Sequence, residues 1–320
     1  MVKVQCAVLD DYQGVALSMA DWSAIGDQVD VKVFRHHFDH EDALVEAIRD
    51  CEMVVAMRER TPFRSSLFDK LPNLKLLITT GMRNAAIDLV AASQHGVVVC
   101  GTQGSSQATS ELTWALILGL AKHVVQENQA LRANGSWQST VSVDLEGKQL
   151  GLLGLGRIGS QVARVGQAFG MHVNAWSQNL TEDHAESLGV KRAASKEDLL
   201  KQSDFVSIHL VLSERTRDLV AERELQLMKP SAYLINTSRA PIVNRQALLR
   251  ALEERWIAGA GLDVFDVEPL PTDDAFRSLP NVLATPHIGY VSETTYRTWY
   301  RDAVEDIQAF LAGSPVRQLS

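Results

Sequence analysis

Along the first hundred positions, apolar residues recur in short runs separated by polar turns. Residues 2–9 alternate like a strand, 42–49 carry apolar side chains at helical spacing, and 53–57 read as a buried strand ending in the polar turn 58–61. Thr61-Pro62 reads as a helix start, a capping hydroxyl followed by proline at the first helical position. Strands over 74–79 and 97–100 complete a βαβα rhythm, which predicts a parallel sheet covered by helices. Residues 109–133 then form one long helical pattern closed by Asn134-Gly135. A second strand–helix series runs from Leu150 to about Thr285. A last helix, roughly 293–311, carries Tyr296, Trp299 and Tyr300; Tyr290, Tyr296 and Trp299 can wall a pocket or pack this helix, and packing is the expected role for most of them.

A chain of 320 residues fits two domains of about 100–200 residues each. With 46% apolar and 22% charged residues, disorder, collagen and coiled coil are excluded as global descriptions. The net charge of −8 repels phosphate backbones, so nucleic acid is not an expected partner. The longest apolar run, 113–121, is too short to span a bilayer, and the N-terminus enters a strand with no signal-peptide pattern. Cys6, Cys51 and Cys100 are scattered and odd in number, so they read as buried thiols of a cytoplasmic protein. His36-His37-Phe-Asp39-His40 looks like a metal cluster, but Asp39 can cap the next helix and no ligand constellation elsewhere supports it. No metal is expected. Ser195-Lys-Glu-Asp198 reads as a capping box.

The first strong chemical signal follows the apolar strand 150–153. It feeds into Gly154-Leu-Gly156-Arg-Ile-Gly159, then an amphipathic helix to about Phe169 and a strand over 172–176. Gly154 permits the tight turn, Gly156 lets the backbone approach a pyrophosphate, and Gly159 lets helix and strand pack closely. The helix N-terminus adds free N–H groups and a positive dipole end. These features predict a dinucleotide site. The acidic residue that should end the second strand and bind the ribose 2′-hydroxyl is missing, and Trp176-Ser177-Gln178-Asn179 stands there. Its absence removes repulsion of a 2′-phosphate, which tilts the expectation to NADP(H) or dual use and leaves NAD(H) open. Arg157 is better suited to the pyrophosphate.

Three further strands end in groups of complementary chemistry. Strand 232–236 leads to Thr237-Ser238-Arg239, strand 258–265 is followed by Glu268, and strand 282–285 ends in Pro286-His287. In an open parallel sheet, ligands bind beyond the carboxyl ends of the strands, the edge that also carries the glycine loop. A guanidinium can hold a carboxylate bidentately. An imidazole can protonate a developing alkoxide, and a carboxylate bonded to it fixes its orientation. Each residue alone reads equally as a surface charge, a turn residue or a structural histidine. Together they supply the parts needed to reduce a 2-keto acid.

These stretches resemble the D-isomer-specific 2-hydroxyacid dehydrogenases. The resemblance rests on Gly147-Lys-Gln-Leu-Gly-Leu-Leu-Gly-Leu-Gly-Arg-Ile-Gly159, Asp204-Phe-Val-Ser-Ile-His-Leu210, Ile235-Asn-Thr-Ser-Arg239, Gly261-Leu-Asp-Val-Phe265 with Glu268-Pro269, and Pro286-His-Ile-Gly289. Gly81-Met-Arg-Asn84 with Ile87-Asp88 extends it to the first half. It implies an α/β fold of two Rossmann-like parallel-sheet domains, one flavodoxin-like and one dinucleotide-binding, with a cleft between them that closes over the substrate. The substrate domain would be 1–101 with 290–320, and the nucleotide domain 102–289. By motif, Arg239 binds substrate, His287 is the acid/base and Glu268 its partner. Gly154, Gly156, Arg157, Ile158, Gly159, Ser177, Gln178, His209, Thr237 and Asp263 would serve the cofactor, with Asp263 near the nicotinamide carboxamide.

For the substrate, the resemblance implies a small 2-keto or 2-hydroxy acid, taken to be like glyoxylate or hydroxypyruvate, and an R-configured alcohol. The backbone at Met82 and Arg83 would receive the substrate carboxylate, and Arg58, Arg60 or Arg83 can meet a second acidic group or remain solvated. A homodimer through the nucleotide domains is implied. Three positions depart from the family pattern: Ala240-Pro241 after the active-site arginine, Asn244 in place of an acid, and Ser177. A phosphoglycerate dehydrogenase and a non-enzymatic dinucleotide-sensing scaffold, like the corepressor relatives, stay open as alternatives. Formate dehydrogenases share the fold, but hydride abstraction from formate needs no proton donor, so Glu268 argues against them.

Overall fold

The computed structural model describes residues 2–320. The chain divides into two compact units, Met1–Ser105 with Val291–Ser320, and Ser106–Tyr290. The divisions therefore fall slightly later than the 101/102 and 289/290 read from the sequence. They coincide with helix starts, since Ser106 and Ser292 are the N-cap residues of helices Gln107–Ala121 and Glu293–Leu311.

The first unit is built on β1 (Val4–Val8), β2 (Val29–Val33), β3 (Met53–Ala56), β4 (Leu76–Thr79) and β5 (Val98–Gly101). All pair in parallel in the order β2-β1-β3-β4-β5. The inner strands β3 and β4 are buried at every position, as expected where helices cover both faces. One face packs Ala7, Leu9, Val54, Ala56 and Leu77 against Phe63, Leu67 and Phe68. Helix Glu293–Leu311 buries Tyr296, Trp299 and Tyr300, so these three aromatics pack.

Two expected caps are absent. The helix after β3 begins at Ser65, with Arg64 as its N-cap, not at Thr61-Pro62. Thr61 is buried, and its hydroxyl donates to the Asp10 carboxylate at 2.8 Å, a charge-assisted bond made away from the helix. His40, not Asp39, is the N-cap of helix Glu41–Ile48, and its side chain makes no capping bond. All three cysteines are free and buried, and burial pushes the Cys100 thiol up to about 12.

The second unit holds β6 (Gln149–Leu153), β7 (His172–Trp176), β8 (Lys191–Arg192), β9 (Phe205–Ile208), β10 (Tyr233–Asn236), β11 (Gly259–Leu262) and β12 (Val282–Ala284). They form one parallel sheet in the order β12-β11-β10-β9-β6-β7-β8. Successive residues feed opposite cores. Leu152, Phe205 and Ile235 face one, and Leu153, Val206 and Leu234 face the other.

The long helix expected over 109–133 is two helices, Gln107–Ala121 and Val124–Arg132. His123 between them is left-handed, with φ +51°. The Ala121 carbonyl accepts the Val143 N–H of the returning chain at 2.8 Å, which ends the helical ladder there. Ser195 caps helix Lys196–Gln202 by accepting the Asp198 N–H, which is half of the box read from the sequence. Among the described residues, no helix is long and apolar enough to cross a membrane.

Candidate active site

The strand order of the second unit reverses at β6, and the glycine loop leaves its carboxyl end there. Gly154 has φ +104°, and a Cβ on it would stand 2.6 Å from the His209 carbonyl oxygen. A Cβ on Gly159 would collide with the Gly154 carbonyl. At Gly156, by contrast, a Cβ would meet nothing within 4 Å, so the loop is open on the side where a diphosphate must approach. Helix Arg157–Ala168 starts on Gly156 with no side-chain cap, leaving the N–H groups of Arg157, Ile158 and Gly159 to an anion. This cradle fits a nicotinamide dinucleotide.

The other candidate cofactor residues share this edge. His209 follows β9, with Nε2 2.9 Å from Ser207 Oγ and a buried Nδ1 that has no partner among the described residues. Burial lowers its pKa to about 3, so the ring is neutral. Its contribution is therefore shape and one hydrogen-bonding nitrogen, not charge. Thr237 follows β10, and its hydroxyl meets that of Thr113, from helix Gln107–Ala121, at 2.9 Å. Ser177 and Gln178 follow β7, where the Leu180 N–H closes a turn onto the Ser177 carbonyl at 3.2 Å. On the adjacent β8, Arg192 donates to the Leu180 carbonyl at 2.9 Å and faces Glu182 at 3.7 Å.

Glu268 and His287 are in direct contact. His287 Nδ1 lies 2.6 Å from Glu268 Oε2, while Glu268 Oε1 accepts the Phe265 N–H at 2.8 Å. Both side chains are mostly buried. The imidazole stands edge-on to Tyr290, with centroids 5.4 Å apart. Arg239 follows β10. Its turn is fixed by Asn236, which donates to the Arg239 carbonyl at 3.1 Å, and by Ser238, which donates to the Ile208 carbonyl at 2.8 Å.

His287 itself is left-handed, with φ +52°. The group that holds this strained turn is Asp263, at the end of β11. Its Oδ1 accepts the Thr285 hydroxyl at 2.6 Å and the Ile288 N–H at 2.8 Å, and its Oδ2 accepts the Gly289 N–H at 2.8 Å. Burial pushes the Asp263 carboxyl above the usual range, against the pull of Thr285, His287 and the two amides. A Cβ on Gly289 would come within 2.9 Å of Asp263 Oδ2, which explains the glycine.

The substrate candidates Arg58, Met82 and Arg83 lie in the first unit, after β3 and β4. Arg58 is also left-handed, with φ +50°. Its N–H donates to Thr80 Oγ1 at 2.9 Å, its carbonyl accepts Asn84 Nδ2 at 2.6 Å, and its guanidinium stands 5.8 Å from the centroid of the Trp299 ring. A Cβ on Gly81 would collide with that guanidinium. Met82 packs its Cα and sulfur on Gly101, and Arg83 is exposed.

Comparison with known proteins decides the family. Residues 114–289 match the D-isomer specific 2-hydroxyacid dehydrogenase, NAD binding domain. A glyoxylate reductase of Aeropyrum pernix is 40% identical over 256 residues, 77% of this chain and 76% of that protein. The chain belongs to the D-isomer specific 2-hydroxyacid dehydrogenases. It is accordingly an NAD(P)-dependent oxidoreductase acting on the CH–OH group of a small 2-hydroxy acid. A D-3-phosphoglycerate dehydrogenase of Bacillus subtilis is 36% identical over 263 residues, 81% of this chain but 50% of that protein. The crystal structure of a phosphoglycerate oxidoreductase from Vibrio cholerae matches with a TM-score of 0.93 and 35% identity. The match covers 97% of this chain and 100% of that one.

Two of the departures from other 2-hydroxyacid dehydrogenases have local explanations. Pro241 sits in the first turn of the 3-10 helix Ala240–Ile242, where a missing N–H is tolerated. Asn244 caps helix Arg245–Glu253 by accepting the Ala247 N–H at 3.0 Å, and it donates to Asp218 at 3.1 Å. The sequence reading assigned Asp263 to the cofactor and missed its hold on the His287 turn. The signal was a lone carboxylate in an otherwise apolar strand end. Thr109 was missed too. Its hydroxyl donates to the Gly289 carbonyl at 2.9 Å, tying the same turn to helix Gln107–Ala121.

Proposed function

We propose that this dehydrogenase reduces a small 2-keto acid, glyoxylate or hydroxypyruvate, to the R-configured 2-hydroxy acid, with Arg239, Glu268 and His287 as its catalytic set. The 2.6 Å contact between His287 and Glu268, on the sheet edge that carries the glycine loop, is the observation that supports this most. Donation from Nδ1 to the carboxylate fixes the imidazole tautomer and its orientation. His287 then gives its Nε2 proton to the substrate oxygen as that oxygen gains charge, and takes it back in the reverse reaction. Arg239 holds the substrate carboxylate and polarises the carbonyl. A bound nicotinamide supplies the hydride exchanged with C2. The backbone of Met82 and Arg83 receives the carboxylate, and Arg58 borders the rest of the substrate.

Cofactor use is assigned to NADP(H) or to both dinucleotides, because Ser177 offers no carboxylate to repel a 2′-phosphate. A cytoplasmic setting suits three free, buried cysteines. A homodimer is supported by helix Val124–Arg132, which buries none of its residues and leaves Val124, Val125 and Leu131 exposed, followed by exposed Trp137 and Val141. The second reading is oxidation of phosphoglycerate. It draws on Arg58 and Arg83 as phosphate ligands and on the likeness to the Bacillus subtilis enzyme.

Loss of reduced-nicotinamide absorbance across a panel of 2-keto acids, with NADH and NADPH in parallel, tests the assignment. Turnover of glyoxylate or hydroxypyruvate is the expected result. Turnover confined to 3-phosphohydroxypyruvate would transfer the assignment to the second reading. Tight cofactor binding without turnover on any keto acid would overturn both.

A further inference from the structure

The histidine-rich stretch 36–40 has a use that its sequence does not announce. β1 is central in its part of the sheet, flanked by β2 and β3, and the strand order reverses between β1 and β3. Sheets of this order bind ligands at that switch point. Asp10, just beyond β1, is buried and left-handed with φ +56°. Its carboxylate receives one bond from each flank. Oδ1 meets His37 Nδ1 at 2.9 Å, from beyond β2, and Oδ2 accepts the Thr61 hydroxyl at 2.8 Å, from beyond β3. Tyr12 donates to Oδ1 at 3.4 Å.

Thr61 closes the loop that carries Arg58. The near end of that loop is tied by Thr80 and Asn84 to the end of β4, and the Arg60 N–H folds it back onto the Met57 carbonyl at 3.1 Å. Its far end is held by the bond from Thr61 to Asp10, and just beyond it the Phe63 N–H donates to the Ala86 carbonyl at 2.9 Å. Arg58 and Asp10 are thus two strained non-glycine residues at neighbouring strand ends. Such strain is of the order of 1–2 kcal/mol per residue and persists only where surrounding bonds over-determine the turn.

We infer that His37, clasped with Thr61 on the Asp10 carboxylate, is a positioning residue that sets the Arg58 loop for substrate binding. The inference rests on the proposal above that Arg58 borders the substrate. The charged groups facing His37 are Asp10, Asp39 and Arg60. The hydrogen bond to Asp10 raises the pKa of His37 above the ordinary imidazole range, ahead of the burial that lowers it. The charges of Asp10 and Asp39 raise it further, and Arg60 opposes them. The doubly charged clasp is therefore complete at acidic pH and is lost as pH climbs through the raised value. Above that value the buried Asp10 keeps hydrogen bonds but loses the charge of His37, and the loop loosens.

The test is steady-state kinetics with glyoxylate and saturating cofactor, from about pH 6 to about pH 9, spanning the ordinary imidazole value and the region above it. The wild-type KM for glyoxylate is expected to rise about fivefold over this range, the scale of one charge-assisted hydrogen bond weakened. His37→Asn keeps a donor near the Nδ1 position without titrating, so its KM profile is expected to be flatter than wild type by that factor. Thr61→Val is expected to raise KM about fivefold at every pH, with recovery in Thr61→Ser. In all of these, kcat and the cofactor Kd from nicotinamide fluorescence are expected to stay within about twofold. Parallel KM profiles for wild type and His37→Asn would overturn the inference, as would a fall in kcat that accompanies the rise in KM in Thr61→Val. Arg58→Ala separates the two layers. A raised KM keeps Arg58 at the substrate whatever His37 does, and an unchanged KM removes the substrate reading of Arg58 and with it this role for His37.

Discussion

Both sheets carry a functional turn at their carboxyl edge in left-handed backbone, and each holds it with a buried carboxylate. In the seven-stranded sheet, Asp263 takes the Thr285 hydroxyl and the Ile288 and Gly289 amides, and so fixes the turn at His287. In the five-stranded sheet, Asp10 takes His37 and Thr61 from two flanking loops and fixes the approach to Arg58. The first clamp lies within one strand of its client and holds two backbone amides together with the Thr285 hydroxyl. The second reaches across strand ends and holds side chains, one of them titratable. A clamp on backbone aims a proton donor directly. A clamp on side chains sets the position of a whole loop, and pH can loosen it.

On the proposed roles, this difference is expected to separate the two edges in kinetics, with the turn at His287 acting on kcat and the Arg58 loop acting on KM. The largest effect is expected at Arg239. Arg239→Leu removes the charged anchor, and kcat/KM for glyoxylate is expected to fall about 10³-fold, with cofactor affinity retained. Arg239→Lys keeps the charge but not the planar fork, so only partial recovery is expected.

Next comes Asp263→Asn, which turns an acceptor toward the Gly289 N–H into a donor. A buried N–H left unpaired costs about 1–3 kcal/mol, so kcat is expected to fall by about tenfold to a hundredfold and the melting temperature by several degrees. A normal kcat in this variant would break the comparison, because the turn at His287 would then hold without its clamp. Ser177→Asp is expected to shift kcat/KM toward NADH over NADPH by about tenfold or more, measured with both cofactors at subsaturating concentration. The smallest effects are those of His37 and Thr61, confined to KM.

The placement of the glycine loop, Arg239, Glu268 and His287 at one sheet edge was legible because each lies in a short consecutive motif whose strand context is also local. Strand 172–176 was legible to the residue and the last helix closely so, for the same reason. The Asp10 clamp was not legible. Asp10, His37 and Thr61 lie on three different loops, and Asp10, Arg58 and His287 adopt positive φ with no glycine to mark them. Thr61 misled for a related reason. A Thr-Pro pair is a sound local cap signal, and a distant carboxylate outbid the local helix for the hydroxyl. The split at His123 likewise depends on a chain segment returning from Val143, which no local pattern contains.

The central claim is that His287, oriented by Glu268, moves the proton while the rest of the site binds. Pairing nicotinamide fluorescence titration with glyoxylate turnover in His287→Ala tests it most directly. Turnover is expected to fall by about 10³-fold or more, within the range for loss of a general acid, while cofactor Kd stays within about twofold of wild type. Turnover that survives the substitution, or cofactor affinity lost along with it, would contradict the claim.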